Sequence, residues 1–189
     1  MNHFTQGKKL LAIGGIVLIT LIWGISFPII KIALQSFTPL WFVGIRFGLA
    51  TLLMLPVCIP RLKKFNRGLL RDGMIAGLVI GIAYALQTIG LLTTTATNNA
   101  FITCTYVVIV PFLMWAWGKK IRGANFLIAF ITIIGLATLS LNSDFRVSPG
   151  DIWTLGCAFF FAAHMTLLGE YSQRHDAFLL TLIQIAIVG

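Results

Sequence analysis

The chain has 189 residues, of which 58% are hydrophobic and 10% are charged, and its formal net charge is +9. Soluble domains contain about 25% charged residues, so this composition excludes a soluble globular protein. A net positive charge can indicate nucleic-acid binding, but here the basic residues lie in the short gaps between apolar runs. The charge therefore reports membrane topology, and we expect no nucleic-acid partner.

Six apolar runs predict membrane-spanning helices, and a seventh begins close to the last residue. In chain order, the predicted spans are 10–34, 39–59, 71–92, 96–117, 124–141 and 151–170, with the seventh starting at 177. A helix crosses the hydrocarbon core, about 30 Å thick, with about 20 residues. The final run of 178–189 reaches only about 18 Å, so we expect a chain that is cut short or completed by another subunit.

Basic residues in the connections predict the orientation of the bundle. Eleven of the fourteen Lys and Arg residues lie in the amino-terminal tail or in the second, fourth and sixth connections. The positive-inside rule assigns that side to the cytoplasm, together with the amino terminus. The sequence thus predicts an all-α polytopic helical membrane bundle in the lipid bilayer of the cell membrane.

Small residues and prolines inside the spans indicate how the helices pack. Gly73, Gly77 and Gly81 recur every fourth residue and predict a close contact with another helix of the same chain. Pro28 and Pro111 are candidate helix breaks, because each leaves the carbonyl four residues earlier without its donor. A freed carbonyl in a membrane must be satisfied by protein or by a water-filled cavity. A simple bend explains either proline equally well.

Two cations lie within the apolar spans. Lys31 is near the outer end of the first span, so we interpret it as reaching the headgroups with its long stem. Arg46 lies about 10 Å deep in the second span. No Asp or Glu occupies the central part of any span. Arg46 is therefore expected to meet backbone carbonyls, water or an anionic ligand.

Polar residues in three spans are candidates for the lining of a substrate cavity. Interhelical hydrogen bonds are the better explanation for any one of them taken singly, and their convergence with Pro111 favours a cavity lining. The histidine among them can relay protons or hold a structural hydrogen bond. The candidates are Gln87 in the third span, Asn99, Thr103 and Tyr106 in the fourth, and His164 in the sixth.

Sequence signals of catalysis are absent. The chain has no metal-binding cluster, paired carboxylates, nucleophile elbow or phosphate-binding glycine loop. Its three cysteines are widely spaced and show no disulfide or metal-ligand pattern. We therefore expect no enzyme, no cofactor and no metal.

Several segments, in order, resemble the EamA-type permeases of the drug/metabolite transporter superfamily. Each motif is short, but their order and spacing carry the resemblance, which extends over the entire chain. The segments are Trp23-Gly24-Ile25-Ser26-Phe27 followed by Lys31, Arg46 with Ala50, and the stretch from Leu86-Gln87-Thr88 through Asn98-Asn99-Ala100 to Val110-Pro111.

The resemblance implies two inverted five-helix repeats, with residues 1–142 as the first and 150–189 as the start of an incomplete second. A faint internal match supports this, since an offset of 138 residues places Trp23 on Phe161 and Arg46 on Gln184.

The resemblance also implies an integral membrane permease that moves a small metabolite, amino acid or drug-like solute across the cytoplasmic membrane by alternating access. The first, third, fourth and sixth spans would line its cavity. Trp23 would be an aromatic wall with Ser26 beside it, and Arg46 an anion contact or gate support. The alternative is a non-transporting remnant or a half-carrier subunit. A homodimer or another partner would then complete the missing helices.

Overall fold

The computed structural model describes residues 6–119 and 148–189, together with 123, 127, 129–132 and 134–135. These residues form α-helices and no strand, which confirms the all-α polytopic bundle. Five helical stretches among them are long and apolar enough to cross a membrane. The predicted fifth span at 124–141 falls largely outside the described residues. The helices are α1 (Gln6–Ala33), α2 (Pro39–Cys58), α3 (Arg67–Thr93), α4 (Ala96–Cys104), α5 (Tyr106–Ala116), α6 (Pro149–Tyr171) and α7 (Ala177–Val188), with a 3-10 helix (Ile59–Lys64) after α2.

Capping residues determine where the helices begin. The side chain of Asn66 accepts a hydrogen bond of 2.9 Å from the backbone N–H of Leu69, so α3 starts one turn earlier than the predicted residue 71. Thr95 caps α4 in the same way, accepting from the N–H of Asn98 at 3.0 Å. Both caps satisfy N–H groups that the first turn of a helix leaves without partners.

The two prolines do not break their helices, so this prediction is corrected. α1 is continuous through Pro28, and α5 is continuous through Pro111. A proline already has the helical φ angle and removes only one hydrogen bond, so a helix in a packed bundle can continue through it. The fourth span is interrupted instead at Thr105, whose hydroxyl donates to the carbonyl of Ile102 at 2.6 Å.

α3 packs closely against α7, as its glycine spacing predicts. A Cβ atom at Gly73 would lie 2.8 Å from Cγ2 of Ile183, and one at Gly77 would lie 3.1 Å from Cα of Gln184. Neither distance leaves room for a side chain. Small residues thus bring α7 against α3, which is how helices associate in lipid, where hydrophobic drive is weak.

At one end of the bundle, a lysine joins α1 to α3. The Lys31 ammonium donates to the carbonyls of Leu91 and Thr94, the latter at 2.7 Å. The Thr94 hydroxyl in turn donates to the Asp151 carboxylate on the first turn of α6. The prediction that Lys31 reaches the headgroups is therefore wrong. Its charge binds the carbonyl end of α3, where the helix dipole favours a cation.

The opposite end of the bundle is joined by ion pairs between connections. Asp176, which precedes α7, accepts from Lys64 at 2.9 Å and from Arg61 at 3.3 Å. The hydrogen bond from Lys64 is the main cause that lowers the pKa of Asp176 to about 2. Two further pairs, Lys119–Glu170 at 3.2 Å and His175–Asp72 at 2.9 Å, join the same end. The second, fourth and sixth connections therefore meet on one side, in agreement with the charge pattern.

We expect Lys31→Met to lower the free energy of unfolding by about 1–2 kcal/mol, because the carbonyl end of α3 loses its bound cation. The change keeps the apolar stem and removes only the charge and the hydrogen bonds. A thermal melt of the detergent-solubilised protein measures it.

Lys63→Met is the control, since Lys63 is exposed and its side chain makes no described contact. It should change the melting temperature little. Equal melting temperatures for the Lys31 variant and the parent protein would contradict the capping role.

Candidate functional site

A cavity of about 460 Å³ lies between α1, α2, α3, α6 and α7. This volume is within the range of small-molecule sites, about 300–1,000 Å³. Most of its lining is apolar. The exceptions are a few polar groups on α1, α2, α6 and α7, namely Ser26, Arg46, His164, Thr181 and Gln184. A mostly apolar cavity with few polar groups is the usual form of a ligand site.

Aromatic rings form the cavity wall around Phe161, which is 2% exposed. The ring of Tyr84 meets Phe161 edge-on, with the two centroids 5.2 Å apart. Trp23 approaches Phe161 at 6.3 Å, and Phe47 approaches Tyr84 at 4.7 Å. These rings come from α1, α2, α3 and α6. Their contacts give the cavity a rigid apolar wall, because aromatic pairs prefer such tilted arrangements.

Arg46 enters this cavity without a counter-ion. Its guanidinium carbon lies 5.6 Å from the ring centroids of both Phe47 and Tyr84. No carboxylate of the described residues forms an ion pair with it. Cation–π contacts hold the side chain in place but leave its five N–H donors available. The site therefore offers fork-shaped donors and a positive charge to an anion.

His164 and Gln184 form a buried polar pair in the same cavity. Nε2 of His164 lies 2.6 Å from Oε1 of Gln184. Nδ1 of His164 and Nε2 of Gln184 are buried and have no hydrogen-bond partner among the described residues. Buried polar groups are nearly always paired, so these two atoms indicate a position where water or a ligand binds.

The predicted cavity residues separate into two groups. Trp23, Ser26, Arg46 and His164 line the cavity together. The side chain of Ser26 donates to the carbonyl of Trp23 at 2.5 Å. Tyr106 packs on Phe161 with the centroids 5.9 Å apart, outside the lining.

The other predicted residues form a hydrogen-bonded network away from the cavity. Gln87 donates to the Thr103 hydroxyl at 3.1 Å, and Asn99 donates to the Thr154 hydroxyl at 2.8 Å and to the carbonyl of Gln87 at 3.0 Å. All four side chains are buried. This network joins α3 and α4 to α6. The polar residues Gln87, Asn99 and Thr103 therefore make the interhelical hydrogen bonds that were the alternative to a cavity lining.

Sequence reasoning did not include Gln184 among the candidates. The internal match of the sequence could have identified Gln184, because the offset that places Trp23 on Phe161 also places Arg46 on Gln184. All four residues line the same cavity. Residues at matching positions of the two segments thus meet around one site.

Within the described part of the chain, no three His, Cys, Asp or Glu side chains come close enough to hold a metal ion.

Apolar helices of membrane-spanning length around a cavity define this chain as a multi-pass membrane protein. Residues 10–141 match the EamA-like transporter family. The chain belongs to this family, which confirms the resemblance drawn from its motifs.

Two relatives are uncharacterized transporters. One, from Archaeoglobus fulgidus, is 39% identical over 181 residues, which cover 94% of this chain and 55% of the relative. The other, YvbV of Bacillus subtilis, is 25% identical over 178 residues, covering 89% of this chain and 57% of the relative. The chain spans about half the length of the curated relatives it matches. No solved structure matches it.

Proposed function

We propose that the chain is a permease, or the larger part of one, that moves a small organic solute through the cavity by alternating access. The observation that carries the proposal is Arg46, a cation without a counter-ion inside an aromatic cavity of solute size. A charge at membrane depth is costly and is typical of a substrate pathway. Membership of a transporter family supports the same conclusion.

The proposed cargo is an amphipathic organic molecule with an anionic group. Its apolar part would contact the rings of Trp23, Tyr84 and Phe161, and its anionic group would bind Arg46. A carboxylate suits the guanidinium because both are planar and can form two parallel hydrogen bonds. Amino acids, small metabolites and drug-like acids share this chemistry.

The proposed architecture is a first repeat at 1–142 and the beginning of an inverted second repeat at 150–189. The extent of the family match, 10–141, supports the first boundary. The internal match supports the second, because its paired residues line one cavity. Inverted repeats around a central site are the basis of alternating access in many carriers.

The proposed location is the cell membrane, with the amino terminus in the cytoplasm. The ion-paired connections at one end hold most of the basic residues, which favours that end as cytoplasmic. The Lys31 end would then face outward.

Cysteine labelling in sealed vesicles tests the proposed access. In a background with Cys58, Cys104 and Cys157 replaced by Ala, Ser26→Cys should react with a membrane-impermeant maleimide in both right-side-out and inside-out vesicles. Thr20→Cys is the matched control on α1, since Thr20 is exposed and outside the cavity lining, and it should react in neither. Reaction of Ser26→Cys from one face only would contradict alternating access. No reaction from either face would contradict a hydrated cavity.

A further inference from the structure

The pair of His164 and Gln184 presents one free acceptor and one free donor group. The side chains are each 5% exposed. Because Nε2 of His164 donates to Oε1 of Gln184 at 2.6 Å, the lone pair of Nδ1 and the amide N–H groups of Gln184 remain. Neither has a partner among the described residues. Leaving such atoms unpaired is costly, and both residues line the cavity, so a molecule in the cavity is their candidate partner.

The charges around His164 determine what that molecule can be. Among the described residues, Arg46 on α2 is the one charged side chain of the cavity lining, and Tyr84 on α3 is the other titratable group besides His164. α1 and α7 contribute only uncharged side chains to the cavity lining. Two more titratable side chains, Cys157 of α6 and Tyr106 of α5, pack in the cluster around Phe161 and lie outside this lining. No described carboxylate faces the cavity. A proton on Nδ1 would add a second positive charge to an apolar space, which is unfavourable unless an anion is present.

We propose, on the basis of the permease function above, that His164 carries the coupling proton and that the solute is an organic anion which binds together with it. When Nδ1 takes a proton from water, the pair changes from one acceptor and one donor to donors only. Nδ1–H, the Gln184 amide and the Arg46 guanidinium then all suit a carboxylate. One proton and one monoanion enter together, and the proton returns to water when the anion leaves.

The coupling is reciprocal, because each partner strengthens the binding of the other. The anion supplies the counter-charge that lets His164 hold its proton, and the proton supplies a donor for the anion. The chain thus acts as a proton–anion symporter in which His164, rather than a carboxylate, carries the proton.

Equilibrium dialysis of the purified chain with radiolabelled phenyllactate tests the proposal. This probe combines an aromatic ring with a carboxylate. Binding should be at least about fivefold tighter at about pH 6 than at about pH 8, because histidine changes its charge in this range. His164→Gln should remove the difference. His175→Gln is the matched control, because His175 lies outside the cavity and binds Asp72, and it should keep the difference.

Nitrogen NMR of the histidine-labelled parent protein tests the same proposal without a substitution at the site. Saturating phenyllactate should convert the Nδ1 signal of His164 from the unprotonated to the protonated form. The measurement is made at a pH where the imidazole of His164 is neutral in the protein without phenyllactate. An Nδ1 signal of His164 that does not change when phenyllactate is added would overturn the proposal. Binding that is equally tight at both pH values, or absent at both, would also overturn it. The cysteine-labelling result for Ser26 would stand in each case, so failure of the coupling is distinguishable from failure of the permease function.

Discussion

Arg46→Gln is expected to lower phenyllactate uptake into proteoliposomes at least about tenfold, while the amount of folded protein stays the same. A tenfold loss corresponds to about 1.4 kcal/mol, which is less than the usual value of a charge-assisted hydrogen bond pair. Glutamine keeps a polar side chain of similar width but offers neither the charge nor the fork of donors. Arg46→Lys keeps the charge alone and should retain part of the uptake.

The matched control for Arg46 is Arg67→Gln, at the exposed start of α3. It should leave uptake unchanged. Protein abundance, measured by size-exclusion chromatography of each variant, separates the two possible roles. If Arg46→Gln reduces folded protein as much as it reduces uptake, Arg46 is a structural residue and the assignment to the solute is wrong.

Gly150→Ala should have the largest effect on stability. A Cβ at Gly150 would collide with the carbonyl oxygen of Gly90, and it would lie 2.7 Å from the backbone nitrogen of Thr94 and 2.8 Å from Oγ1 of Thr93. Backbone atoms cannot move aside, so α6 must separate from the end of α3. We expect a loss of about 2–3 kcal/mol, visible as a fall of about 5–10 °C in the melting temperature.

The same substitution on the same helix provides the control. A Cβ at Gly169 would meet no atom within 4 Å, so Gly169→Ala should keep or slightly raise the melting temperature. Equal effects of the two substitutions would show that α3 and α6 are not in contact at Gly90 and Gly150.

The helical spans and their connections were predictable from the sequence, because hydropathy and charge act locally. Runs of apolar residues must cross the bilayer, and basic residues must remain on one side. The break at Thr105 was not predictable in this way. The interruption lies at Thr105, whose hydroxyl binds the carbonyl of Ile102, whereas a proline pattern points to Pro111.

The candidate site was only partly predictable, because its side chains depend on which helix faces which. Arg46 was identified since a deep cation without a nearby carboxylate is visible in a sequence. Asn99 and Thr103 were predicted to line the cavity, with interhelical hydrogen bonds as the alternative, and the structure has them in a buried network. The contact of Lys31 with the end of α3 joins residues about sixty positions apart, which periodicity does not reveal.

Gln184 shows how a match between two segments of the sequence can add to local patterns. Alone, a glutamine in an apolar run carries no functional signal. The internal match aligns Gln184 with Arg46, and both residues line the same cavity. In the structure Gln184 pairs with His164 at the cavity, so its importance comes from tertiary contact.

Uptake of radiolabelled phenyllactate should be measured in proteoliposomes that contain the 189-residue chain. The liposomes are preloaded with unlabelled phenyllactate, so that exchange alone drives accumulation of the label. We expect saturable uptake that unlabelled phenyllactate competes away and that its uncharged analogue, phenylpropanediol, does not. Uptake no faster than into protein-free liposomes would contradict a cavity that carries an organic anion.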